Sequence, residues 1–225
     1  MPTEGLININ GDSVQVLQIL FLTTMITLLP SIVVMMTSFT RIIIILSFTR
    51  TAMGAQQNPP NMVLVGLAIF LTLLTMQPVF QQINTQALEP YQEEEISEEE
   101  FLDRAVVPLK RFMLDNTDEG ALGLYCDLAG METPLGEASV DLPLHIVVPS
   151  FMTSELKEAF LIGFLLYIPF VLIDLVVAST LMSMGMIMLP PAMISTPFKL
   201  LLFISVNGWE MLFAALVRGV GLGLP

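Results

Sequence analysis

Glu155, Asp174, Lys199 and Glu210 stand in stretches that are otherwise apolar. An ionisable group at the centre of a bilayer costs several kcal/mol unless it is paired, so each is a candidate for a functional role or for a contact, within one subunit or between subunits. Asp174 and Glu155 would form an acid dyad only if the fold brought them together, and their spacing does not. The sequence has no Ser, His and acid grouping, no His-Glu-x-x-His and no phosphate-binding glycine loop. Cys126 is the only cysteine and His145 the only histidine, which excludes an intrachain disulfide and a cysteine-based zinc site. No loop carries the acid spacing of a calcium hand. The expectation is a protein that is not an enzyme and has no catalytic residue, metal or cofactor.

A second set of residues can do mechanical rather than covalent work. Met182, Met184, Met186, Met188 and Met193 crowd one stretch, interrupted by Gly185, Pro190 and Pro191. Gly185 loosens a helix. Pro190 and Pro191 stop one, because each lacks a backbone donor and Pro191 pushes Pro190 out of the α region. Two helical arms meeting at a non-helical tip follow. At membrane depth such a tip must be buried in protein or line a cavity, since hydrocarbon leaves its backbone unpaired. Methionine is unbranched, polarizable and repacks around irregular shapes. A methionine cluster by itself more often fills a core or faces lipid; its coincidence with Gly and Pro-Pro favours an opening that seals and yields.

The elements that position these residues are apolar helices. The chain is 54% hydrophobic and 13% charged, with a mean hydropathy of +0.78, which places it in a bilayer or a membrane-embedded assembly. Its formal charge of -13 is concentrated between Glu89 and Asp141, which hold 15 of the 21 acids against 3 bases. The remainder is near neutral, without a basic footprint for nucleic acid. The first residues carry no positive n-region and do not read as a signal peptide, so the chain is a mature form or is inserted by its first apolar run.

That run, Ser13 to Thr40, is kinked or split at Pro30. Ile42 to Phe48 is too short to span and fits a helix packed inside an assembly. Gln56 to Asn61 forces a turn, and Met62 to Met76, broken at Gln77-Pro78, completes a hairpin. Phe101, Leu102, Val106, Leu109, Phe112 and Met113 mark one face of an acidic helix. A last helix starts near Ser154 and bends at Pro169. The reading is an all-α chain with three parts: N-terminal hydrophobic hairpins (residues 1–88), an acidic, soluble helical subdomain (89–149) and a C-terminal broken hairpin with a methionine-rich loop (150–225). Arg41 and Arg50 give a weak positive-inside vote for placing the acidic part outside the cytoplasm.

Met35-Met-Thr-Ser-Phe-Thr-Arg-Ile-Ile43, Gln56-Gln-Asn-Pro-Pro-Asn61, Ser154-Glu-Leu-Lys157, Ile173-Asp-Leu-Val-Val-Ala-Ser179, Leu181 to Pro191, Pro197-Phe-Lys199 and Gly208-Trp209 occur in this order. Together they resemble the FliP family, which provides a core protein of the flagellar type III export gate and is related to the SctR proteins of injectisomes. The match runs from about Leu17 to Leu216. The resemblance implies a conduit in the bacterial inner membrane, in the flagellar basal body, with part of the chain on the periplasmic side. It implies five copies assembled with FliQ and FliR into a helical, conical pore complex, working with FlhA- and FlhB-type proteins on unfolded flagellar substrates. Family members hold much of their apolar helix against each other, largely above the membrane plane.

The resemblance also implies residue roles. The loop holding Met184, Met186, Ile187 and Met188 would form a channel gasket, with Ile187 where relatives often carry a further Met. Glu155 and Lys199 would form a charge pair between neighbouring subunits, with Asp174 a further inter-subunit contact. The alternative function is a subunit of a small-solute channel or transporter, suggested by the broken helix and the embedded Asp174. Such proteins commonly show two related halves, and no repeat is visible here.

Overall fold

The computed structural model describes residues 6–9, 12–55, 57–134, 136–186 and 188–220. Leu6–Ile9 (β1) and Asp12–Gln15 (β2) pair antiparallel, Ile9 opposite Asp12. This small hairpin is the one departure from an all-helical chain among the described residues. The pair Asn10-Gly11 between its strands, itself outside the described residues, is the sequence signal for it.

Helix α1 (Val16–Met36) runs through Pro30 without ending, and α2 (Phe39–Ala52) follows after a turn of 80°. The isoleucine block thus lies on α2, where Ile42, Ile45 and Leu46 are fully buried within the chain. After the connector, whose Gln56 lies outside the described residues, α3 (Asn61–Thr75) returns against α2. The buried Ser38 and Thr75 hydroxyls are bonded 2.6 Å apart between these two helices' ends. A bend of 54° separates α3 from α4 (Gln77–Ile83), and a π-helical turn at Asn84–Leu88 joins it to α5 (Glu89–Gln92).

In the acidic region, α6 (Glu98–Asp115) is opened by Ser97, whose Oγ accepts from the Glu100 N–H at 3.3 Å. Three glutamates in its first turn suit the positive end of the helix dipole. Helix α7 (Glu119–Leu128) and a 3₁₀ turn at Gly136–Asp141 complete the region. Its apolar face does not close on itself. Phe112, Met113 and Cys126 share a core with Met76, Val79 and Phe151, so α6 and α7 are anchored on the hairpins and on the following helix.

That helix, α8 (Leu144–Ser183), is 40 residues long and carries Pro149 and Pro169 inside it. It begins before the expected Ser154: Pro149 removes one hydrogen bond, but the burial of Ile146, Val147 and Phe151 on either side holds the helix together. At 1.5 Å per residue it extends about 60 Å, about twice a hydrocarbon core. Its first half is the buried one: Ile146, Val147, Phe151, Glu155 and Ala159 face the other helices. At Gly163 the Phe48 ring of α2 occupies the space of a side chain, so that an added Cβ would lie 2.7 Å from Phe48 Cγ. The second half leaves Phe164, Leu165, Val171, Leu172, Leu175 and Val176 exposed, a surface for lipid or for other subunits.

Helices α9 (Pro191–Ser205) and α10 (Gly208–Gly219) form a last pair bent by 62°. Among the described residues α8 is the one helix long and apolar enough to cross a membrane unaided; the total reaches four if each of three bent pairs is one span.

Candidate functional site: the α8–α9 tip and its charge pairs

The end of α8 is set by local chemistry. Gly185 takes φ +76°, its N–H donates to the Met182 carbonyl at 3.0 Å, and the Met186 N–H donates to the Leu181 carbonyl at 3.0 Å. This two-bond pattern is a left-handed helix cap, which glycine adopts without steric cost. Gly185 therefore terminates α8 rather than loosening it. On the far side Pro190 is extended, with ψ 119°, and Pro191 is the first residue of α9, where its missing N–H costs no hydrogen bond. Between these stops lies a short non-helical tip.

The methionines of the tip point away from the chain. Met188 is 98% exposed and Met184 67%, and Met182 and Met193 are exposed as well, while Met186 is partly covered. Ile187 lies outside the described residues. Among the described residues these flexible apolar side chains are largely uncovered at the end of the hairpin.

About 14 Å before the tip along α8, counting from Asp174 to Ser183, the two arms are fastened together. Lys199 Nζ donates to Asp174 Oδ2 and Ser195 Oγ to Asp174 Oδ1, both at 2.6 Å. One carboxylate of α8 thus takes two donors one turn apart on α9. Lys199 is 7% exposed and Asp174 39%. The group opens on a groove of about 980 Å³ lined by Thr51, Tyr167, Asp174, Pro191 and Thr196. Replacing Asp174 with Leu strands a nearly buried ammonium and should cost about 1–3 kcal/mol. Replacing Lys199 with Met should cost less, since water reaches Asp174. Thermal unfolding of the detergent-extracted protein checks the order; equal and negligible losses would mark a surface pair.

Glu155 has a different partner. It is 0% exposed, and Arg41, 3% exposed, donates to it through Nε at 2.9 Å and through Nη2 to its second oxygen. The planar guanidinium meets the carboxylate with two parallel bonds. Arg41 Nη2 also lies 2.9 Å from Glu158 Oε2 on the half-exposed outer side. This cluster fastens α2 to α8. Glu155 and Asp174 sit about 28 Å apart along α8, too far for an acid dyad. Glu210 is exposed in the first turn of α10.

The structure therefore brings Asp174 and Lys199 together within one chain and gives Glu155 and Lys199 separate intrachain partners. Sequence reasoning names Arg41 only for topology, and it does not name Glu158 or Ser195. Arg41 carries a signal, a cation directly before an isoleucine run in a chain with embedded glutamates. Among the described residues no three His, Cys, Asp or Glu side chains gather at metal-binding range.

Comparison with known proteins shows the family. The model of the FliP family matches residues 22–216. The flagellar biosynthetic protein FliP of Aquifex aeolicus is 48% identical over 208 residues, 92% of this chain and 87% of that protein. Its counterpart in Bacillus subtilis is 49% identical over 89% of this chain and 90% of that protein. The one in Caulobacter vibrioides is 46% identical over 97% and 85%. With the family pattern extending from the middle of α1 into α10, across every charge pair described above, the chain belongs to the FliP family.

Proposed function

We propose that this chain is a core pore-forming subunit of the flagellar type III protein export gate, conducting unfolded flagellar proteins across the inner membrane. The closed channel is sealed by the methionine tip of the α8–α9 hairpin. The observation that carries the reading is the tip itself, capped by Gly185 and Pro191 and presenting Met184 and Met188 exposed among the described residues. A passage for unfolded polypeptide needs a seal that blocks ions at rest and parts around a varied chain, and flexible thioethers meet that need. The role is non-enzymatic.

In this reading five copies join FliQ- and FliR-type proteins, and FlhA- and FlhB-type components act alongside. The acidic region, residues 89–149, lies on the periplasmic side and keeps that end of the assembly hydrated. The exposed second half of α8 packs on neighbouring subunits, where Asp174 and Lys199 are placed to exchange partners between copies. Glu155 acts from inside, holding Arg41 and through it Glu158 at the surface.

Replacing Met184, Met186 and Met188 together with Ala in the assembled complex should raise resting ion leakage several-fold while leaving the assembly intact. Ion flux from vesicles containing the complex, with its native mass measured in parallel, reads both. Unchanged permeability in an intact assembly would remove the gasket.

A further inference from the structure

We infer that the methionine tip is an oxidation site through which peroxide opens the gate. The inference rests on the gasket reading above and goes beyond it. Met182, Met184, Met188 and Met193 are exposed, whereas Met53, Met76 and Met113 are enclosed in the chain's cores. Thioether oxidation follows access, so the tip reacts first among these. The sulfur lone pair attacks one oxygen of hydrogen peroxide and the O–O bond breaks. The transferred oxygen gives its proton to the departing hydroxide, which leaves as water. Sulfur is oxidised by two electrons and peroxide is reduced.

The product is a methionine sulfoxide, polar and chiral where the thioether was apolar. A ring of sulfoxides attracts water into a constriction that works by excluding it, so the seal fails while the helical frame stays unaltered. The frame is insulated because the pairs that hold the hairpin, Asp174 with Lys199 and Ser195, contain no sulfur. Reduction by the two methionine sulfoxide reductases, one for each epimer, restores the apolar tip.

The test uses vesicles containing the whole complex, exposed to hydrogen peroxide, with ion leakage and peptide mass spectrometry read together. The expected result is one added oxygen at Met184 and Met188 ahead of Met76 and Met113, a several-fold rise in leakage, and reversal by the reductases. In a variant with Met182, Met184, Met186, Met188 and Met193 replaced by Leu, peroxide adds no leakage to whatever that variant shows untreated. The variant retains Met62 and Met211, which are exposed elsewhere, and so reports any leakage that their oxidation causes. Tip oxidation without leakage, a tip that resists peroxide, or an equal peroxide-dependent rise in the leucine variant would overturn the inference. The alanine variant separates the two readings: if it leaks and peroxide has no effect, only the oxidation site falls, and if neither leaks, the gasket falls with it.

Discussion

Replacing Arg41 with Ala should destabilise the chain by about 3–5 kcal/mol, the cost of leaving a buried carboxylate without its counter-charge. Glu155 has no exposed surface through which water could compensate, and both of its oxygens are held by Arg41. Glu155→Ala should cost less, because Arg41 keeps Glu158 as a counter-charge 2.9 Å from its Nη2. The double replacement Arg41→Met with Glu155→Leu should recover most of the loss, since apolar residues of similar volume often substitute for a buried pair at little cost. Glu158 is 44% exposed and tolerates the change by turning to water. Chain abundance in the membrane and the thermal midpoint of the extracted complex are the readouts. Additive losses in the double variant would mean that the two residues do not act as a pair.

Phe151→Ala should cost about 3–5 kcal/mol, as expected for a fully enclosed aromatic side chain. Phe151 meets the Phe112 ring edge-on with centroids 5.8 Å apart, in the core that ties α6 and α7 to the start of α8. The loss should be local. Hydrogen exchange should accelerate in residues 98–128 while α2 and α3 stay protected, because their core lies elsewhere, around Ile42, Ile45 and Leu64. Uniform acceleration over the whole chain would show that the acidic region and the hairpins unfold as one unit.

The parts of this architecture legible from sequence are those fixed by neighbours in the chain. A glycine followed by two prolines in an apolar run stops one helix and starts the next by backbone chemistry alone, and the tip lies between those stops. The apolar face of α6 was readable in the same way, from Leu109, Phe112 and Met113 at helical spacing. Pairings across long separations were not. Arg41 and Glu155 are 114 residues apart, and only the packing of α2 on α8 brings them together. Pro149 misleads in the other direction. It looks like a boundary, yet α8 passes through it because Ile146, Val147 and Phe151 are buried on either side.

The most direct test of the account is the native mass of the complex extracted in detergent after this chain is co-expressed with FliQ- and FliR-type proteins. A stable particle holding several copies of this chain together with both partners is the predicted result. A monomer or dimer whose mass is indifferent to the partners would contradict the export-gate reading and leave the methionine tip without a channel to close.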